Sequence, residues 1–403
     1  MNILIVHPNC PGQFLYLAPF LAKDKRNKVV FLSKSSDMVL ENVQVALYKP
    51  IREVTAEMHM YLKPAEEAVL EGQAALRAVD ELKGQGFVPD VMIGHPGWGS
   101  MLYLKDFYPQ VPMIGYFEWF YHALHSDAQW WDDETMDMND ILRVRTKNAH
   151  HFLSLDACDI GYCPTEWQKQ QFPQLYQDKL KVMHDGVDTE FLKPNQEARL
   201  VLEDIGLDLS EGKEIVTYVS RGFEAYRGFP QFMDAVRILT RNRPNVQVVI
   251  VGTDRTCYGA KADEDKTYKE IEVEKGGYDT NRVHFVGHRN RADYLKILQC
   301  SDAHVYLTRP FVLSWSMLEA MAVGCPLVGS ATPPVEEVVK DGENGLLANF
   351  RSPEHIAMRV EELLDDKELS GRLGKAARET ILEKYELNKM LKNQLNLIYS
   401  QLK

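Results

Sequence analysis

Short apolar runs rich in branched residues recur along the chain: Ile3 to Val6, Val29 to Leu32, Val91 to Ile93 and Met113 to Tyr116, then Ile215 to Val219, Val246 to Val251, His284 to Val286, Ala303 to Leu307 and Pro326 to Val328. Amphipathic helical stretches lie between them. Strands alternating with helices predict parallel sheets, and runs apolar at nearly every position suit strands covered on both faces. The fold class is therefore α/β with doubly wound sheets. The runs fall into two sets, separated by 187–212, where Lys193-Pro194-Asn195-Gln196 and the polar Asp208 to Gly212 read as a linker into a second sheet beginning at Glu214. Past Gly345 the pattern turns helical, with Ser352 placed as a cap, Pro353 in the first turn and apolar residues at helical spacing through Leu402. Two Rossmann-like domains facing each other across a cleft is the expected architecture, with ligands at the carboxyl ends of the strands.

The 403 residues are too many for one core, so length alone asks for two or three domains, and 45% hydrophobic with 26% charged residues excludes a disordered chain. The net charge of −12 argues against a protein that coats nucleic acid, which needs clustered cations for the phosphates. The N-terminus carries no basic leader, and no apolar run reaches the roughly 18 residues of a membrane span, so a cytoplasmic location is expected. Membrane contact is at most peripheral. Lys23 to Lys28 could touch anionic lipid but read first as cations favoured by a helix C-terminus. Six scattered cysteines form no C-x-x-C pair and no zinc spacing, so they read as free thiols.

The sharpest chemistry lies in the second set. The strand Ala303 to Leu307 runs through a loop into Ser314-Trp315-Ser316-Met317-Leu318-Glu319, a helix that Gly324 stops. Its free N–H groups around Ser314, Trp315 and Ser316 form an anion site suited to a diphosphate, and Glu319 further along can accept hydrogen bonds from a ribose diol. Charge develops on a departing nucleoside diphosphate, so the guanidinium groups of Arg221 and Arg227 fit beside it without a metal. No D-x-D motif is present, and Asp132-Asp133-Glu134 reads as a solvated run. The turn after Val251 lacks G-x-G-x-x-G, which disfavours a nicotinamide enzyme. In the first set, three strand ends collect polar groups: His7 to Phe14, where Gly12 lets the backbone approach a ligand closely, His95 to Gly99, and Phe117 to His122. The aromatic density of Phe117, Trp119, Phe120, Tyr121, Trp130 and Trp131 suits a sugar platform or ordinary core.

Leu318 to Val328, followed by Val335-Glu336-Glu337-Val338-Val339 and Asp341 to Leu347, resembles the donor-binding domain of family 4 retaining glycosyltransferases, which have the GT-B fold. Asp159 to Glu166 with Trp167 looks like that family's penultimate N-domain strand, and His184 to Phe191 is similar to its N-G-V-D segment. The resemblance implies that Glu319 holds the nucleotide ribose, that Val286-Gly287-His288 meets the base largely through main-chain groups, and that Gly12 and Gln13 lie near the diphosphate or sugar. It also implies an Arg and a Lys after the first C-domain strand. Arg221 matches, while Arg227 takes the lysine's place one residue further on. Two departures stand out: the family glutamate that contacts the transferred sugar falls on Phe311, and a family histidine falls on Phe117 with Glu118 next to it. The N-domain group that meets the sugar is then Glu118, His95 or His122, and the sequence does not choose.

The expectation is a metal-independent retaining glycosyltransferase with no cofactor, moving a sugar from a nucleoside-diphosphate donor to a glycan, lipid-linked or protein acceptor. Residues 1–192 form the acceptor-side domain, 193–384 the donor domain, and a last helix over 385–403 packs back onto the first. Arg221, Arg227, Glu118 and His95 are the catalytic candidates. Gly12, Gln13, Val286, His288, Leu313, Ser314, Trp315, Ser316 and Glu319 join the two arginines at the donor, with Trp119, Tyr121 and His122 on the acceptor side. The competing expectations are an inactive nucleotide-sugar binder, which Phe311 motivates, and an epimerase or phosphorylase on the same fold.

Overall fold

The computed structural model describes residues 1–263 and 265–402. The chain divides into two compact units, Met1–Gly186 with Leu387–Lys403, and Val187–Glu386. The first division falls within His184 to Phe191, a few residues ahead of 192/193. The last helix, Leu387–Ser400, belongs to the first unit because its apolar face has a place there: Leu391 and Ile398 are buried with Ile3, Ile5, Phe14 and Tyr116. Each such aliphatic side chain withdrawn from water is worth about 1.5–3 kcal/mol.

In the first unit the strands are β1 (Asn2–Val6), β2 (Lys28–Ser33), β3 (Gln44–Leu47), β4 (Val91–Gly94), β5 (Met113–Tyr116), β6 (Ile160–Cys163) and β7 (Leu180–Val182). They form one parallel sheet in the order β3-β2-β1-β4-β5-β6-β7. The order reverses between β1 and β4, whose last residues pair as Val6 with Gly94. Both faces are covered, so Ile3, Leu4, Ile5 and Val6 are all fully buried and the strand needs no alternation. The edge strand β3 has no fully buried residue, which is why no apolar run announces it.

The second unit contains β8 (Glu214–Gly222), β9 (Val246–Thr253), β10 (Val283–Gly287), β11 (Ala303–Tyr306), β12 (Leu327–Ser330) and β13 (Leu346–Ala348). They form a parallel sheet in the order β10-β9-β8-β11-β12-β13. Its reversal lies between β8 and β11. The helix Trp315–Val323 behind β11 is buried on nearly every side, with Ser314 as its cap and Gly324 left-handed at its end. Among the described residues no helix is long and apolar enough to cross a membrane, and the six cysteines are free.

Candidate functional site

At a reversal of strand order, neighbouring loops depart to opposite faces and leave their polar groups at the carboxyl ends of the strands. In the first unit those groups are His7, directly after β1, and His95, directly after β4. His95 N–H donates to Val6 O at 3.0 Å, so the two residues leave the sheet side by side. Their rings meet edge to face with centroids 5.5 Å apart. His7 Nδ1 accepts the Asn9 N–H at 2.9 Å and His95 Nδ1 accepts the Gly97 N–H at 3.0 Å, so Nε2 is the nitrogen of each ring left to face other groups. His95 Nε2 faces Glu118 Oε2 at 3.6 Å, and Gln13 Nε2 donates to Glu118 Oε1 at 2.9 Å. Two residues far apart in the sequence, Gln13 and His95, thus converge on one carboxylate.

The local backbone explains why. Phe117 turns inward: it is 2% exposed and lies over Gly115 and Gly161, where an added Cβ would come within 2.4 and 2.5 Å of its ring. With Phe117 in the core, Glu118 is the next residue free to reach the sheet's end. Gly12 has φ +49°, and a Cβ there would sit 2.4 Å from the His7 ring, so this turn holds His7 only if the residue is glycine. Burial pushes Glu118 upward, but hydrogen bonding and charge from His95 and the Gln13 amide outweigh it and hold the carboxyl below its ordinary range. His7 is lowered to about 3, chiefly by burial and secondly by His95, while Asn9, Glu118 and Gln13 favour its proton. Carboxylate, amide and imidazoles together form a set of acceptors and donors suited to hydroxyl groups.

In the second unit the two arginines part company. Arg221, at the end of β8, is exposed. Arg227 is 7% exposed, and its Nη1 donates to Tyr306 Oη at 3.1 Å, Thr308 Oγ1 at 2.8 Å and Val312 O at 2.9 Å. The rings of Tyr258 and Phe311 stand 5.5 and 5.9 Å from the guanidinium carbon. Among the described residues no carboxylate lies within ion-pair distance of Arg227. Tyr306 Oη also accepts the Ser314 N–H at 2.8 Å, which ties the arginine to the start of the helix Trp315–Val323. Ser314 Oγ accepts the Ser316 N–H at 3.4 Å, so two of the N–H groups expected to await an anion already have partners.

Leu313 is buried, whereas Trp315 and Glu319 are partly exposed. Glu319 Oε2 accepts the Tyr294 hydroxyl at 2.7 Å, and burial raises its carboxyl above the ordinary value against the opposing effects of Tyr294 and Arg291. His288 is exposed and lines a polar recess of about 770 Å³ with Asp204, Arg289 and Asn290. The Val286 carbonyl accepts Arg289 Nε at 2.6 Å, and Arg289 in turn pairs with Asp204 at 2.7 Å. That carbonyl is therefore already engaged.

The acceptor-side candidates stand in different settings. Trp119 is 4% exposed and tilted against Trp167. The Tyr121 backbone exchanges two hydrogen bonds with the Asn148 side chain at 3.0 and 2.7 Å, and His122 Nε2 is 2.7 Å from Gln171 O. Of Glu118, His95 and His122, the structure gathers only the first two. In the run Asp132-Asp133-Glu134, Glu134 accepts the N–H groups of Trp130 at 2.9 Å and Trp131 at 3.3 Å. Sequence reasoning passed over His7, although it directly follows the first strand. It also passed over Glu224, buried at 1%, whose Oε2 accepts the N–H groups of Cys257 and Tyr258 and fixes the loop over Arg227.

Comparison with known proteins agrees with this architecture. Residues 25–192 match the Glycosyl transferase family 4 group, and residues 204–380 match Glycosyl transferases group 1. Spore coat protein SA of Bacillus subtilis (strain 168) is 26% identical over 232 residues, 56% of this chain and 60% of that protein. The D-inositol 3-phosphate glycosyltransferase of Corynebacterium glutamicum (strain R) is 25% identical over 295 residues, 70% of this chain and 64% of that protein. The matches thus span less than two thirds of these relatives' length. The Anabaena protein Alr3699/HepE, solved with UDP, shares the fold at a TM-score of 0.69 and 16% identity, over 99% of this chain and all of that one; it has also been solved with UDP-glucose. With a family match over most of each unit and a shared two-domain fold, the chain belongs to the family 4, group 1 glycosyl transferases of GT-B fold.

Proposed function

We propose that the protein is a retaining glycosyltransferase that moves a sugar from a nucleoside-diphosphate donor to a hydroxyl acceptor without a metal ion. The observation that carries this reading is Arg227. Its Nη1 donates to three neutral oxygens and, among the described residues, Glu224 acts on it only at a distance, so burying the guanidinium carries a desolvation cost of several kcal/mol that a diphosphate would offset. Arg221 adds an exposed cation at the end of β8, and Glu319 offers its carboxylate to a ribose diol. The UDP complexes of the Anabaena protein support uridine nucleotides as the first donors to try.

In the reaction, the bond from the anomeric carbon to the diphosphate oxygen breaks, and a bond to the acceptor oxygen forms on the same face. The acceptor proton passes to the departing phosphate oxygen. Fixed positive charge stabilises that oxygen while the bond lengthens, so no enzymic nucleophile is needed. The cytoplasm is the proposed site of action.

A second reading, a nucleotide-sugar binder without turnover, draws on Phe311. Its ring packs against Tyr226 at 5.4 Å and Tyr258 at 5.1 Å, and offers no acceptor where the family places a sugar-binding glutamate. Release of nucleoside diphosphate from a panel of sugar nucleotides separates the two. Turnover that Arg227→Ala abolishes supports transfer; turnover that it leaves unchanged removes the electrostatic account.

A further inference from the structure

One edge of the first unit's sheet is open. β3 stands last in the strand order and pairs with β2 alone, so among the described residues no strand lies along its outer side. Tyr48 N–H donates to Ser33 O at 2.9 Å, which sets the backbone groups of Gln44 and Ala46 inward with it and, by alternation, those of Val45 and Leu47 outward. The side chains here are unusually apolar for a surface. Of the five most exposed large apolar side chains among the described residues, three lie in this strand or in the segments entering and leaving it: Val39 at 94%, Ile51 at 72% and Leu47 at 62%. Such side chains scattered singly need no explanation, but gathered along an unpaired edge they favour the addition of a strand. A left-handed Asn42 (φ +59°) and Pro50 bound the strand and keep it to four residues. Charges of opposite sign stand at its two ends, Glu41 in the turn before it and Lys49 just after it. Both are exposed, and neither forms an ion pair among the described residues.

We propose that β3 is the interface of a symmetric dimer, pairing antiparallel with β3 of a second copy about a two-fold axis at Val45. That register sets Leu47 beside Val43 of the second copy and carries Lys49 to the turn that holds the second copy's Glu41. Opposite charges then meet at both ends of the ladder. Parallel pairing would instead bring Glu41 to Glu41 and Lys49 to Lys49, and like charges across a strand pair are unfavourable. A strand with opposite charges at its opposite ends is complementary to itself, which selects a second copy of this chain over an unrelated partner. Val39 and Ile51 supply apolar area that a four-residue ladder lacks. Each copy spends its one β3 edge in the pairing, so association stops at two.

Sedimentation velocity of the full chain across a concentration series tests this. The wild type should show a monomer–dimer equilibrium. Lys49→Glu should weaken the dimer about tenfold, because two favourable cross-strand pairs become repulsive, and combining it with Glu41→Lys, which exchanges the charges, should restore it. Val45→Pro removes an outward N–H at the axis and leaves the inward ladder intact, so it should give a monomer that circular dichroism shows to be folded. Hydrogen exchange reads the strand itself: the amides of 44–48 should slow as the wild-type concentration rises. A wild type that stays monomeric at every concentration overturns the dimer and leaves the edge to a different partner. A dimer indifferent to both Lys49→Glu and Val45→Pro has its interface elsewhere and overturns the proposal equally. Failure of the exchanged charges to restore association overturns the antiparallel register.

Discussion

Both units place their polar groups where the strand order of a parallel sheet reverses, yet with opposite chemistry. The first unit gathers two imidazoles, an amide and an indole around one carboxylate. The second gathers neutral oxygens and aromatic rings around one buried guanidinium. The contrast follows from what each strand end delivers: β1 and β4 run straight into histidines, while β8 is followed by a turn that carries Arg227 back beneath Thr308 and Val312. A shared topology fixes where a site sits, and the residues after each strand decide what it can hold. Hydroxyl groups suit the first unit and an anion the second.

Removing the second unit's charge should have the largest effect. Arg227→Ala is expected to lower turnover roughly 10²–10³-fold, as the loss of one fixed donor to a developing anion typically does, and initial-rate measurements check it. An equal loss from Arg221→Ala would erase the distinction between the buried and the exposed arginine. On the first unit, Glu118→Gln keeps the shape and removes the charge. Turnover should fall roughly 10²-fold while stabilisation by nucleotide, read by thermal shift, is unchanged; a loss of nucleotide binding would contradict the separation of roles.

Acid should also distinguish the units. His7 and His184 in the first unit are lowered to about 3 and about 4, both chiefly by burial, and His304 in the second to about 3, also by burial. Burial likewise lowers His150 and His151. These rings are neutral in the native state, whereas in the unfolded chain they take up protons near 6.5. Stability is therefore highest above pH 6.5 and falls as the pH drops toward 4, by about 1.4 kcal/mol per pH unit for each of His7, His184 and His304. Hydrogen exchange followed from pH 7 to 4 should show the first unit loosening before the second. The smallest effect is structural: Gly12→Ala forces a left-handed residue and a Cβ against His7, and should cost about 1–3 kcal/mol in chemical denaturation.

Much of this was legible in the sequence because parallel strands buried on both faces leave unbroken apolar runs. The buried β1, β8, β9 and β11 are readable in this way, but β3, β7 and β13 are short strands at or next to sheet edges and leave little trace. Arg221 and Arg227 drew attention through the charge a diphosphate demands, and Glu319 through the hydrogen bonds of a ribose diol. The pairing of Gln13 with Glu118 was not, since the two are 105 positions apart and only the sheet order brings them together. His7 and Trp98 lay in segments already singled out, yet nothing in the sequence shows that their rings pack on His95. The aromatic run after β5 was left between platform and core for a related reason: composition cannot tell an exposed indole from a buried one, and here Trp98 is open while Trp119 is closed.

The account stands most directly on thermal stabilisation of wild type and Arg227→Ala by UDP, GDP and ADP in the presence of EDTA. One nucleoside diphosphate at about 100 times its dissociation constant should stabilise the wild type by roughly 2.7 kcal/mol and leave Arg227→Ala, shown by circular dichroism to be folded, unmoved. Equal stabilisation of both proteins, or none of the wild type by any of the three, would contradict the assignment of the buried guanidinium to a diphosphate.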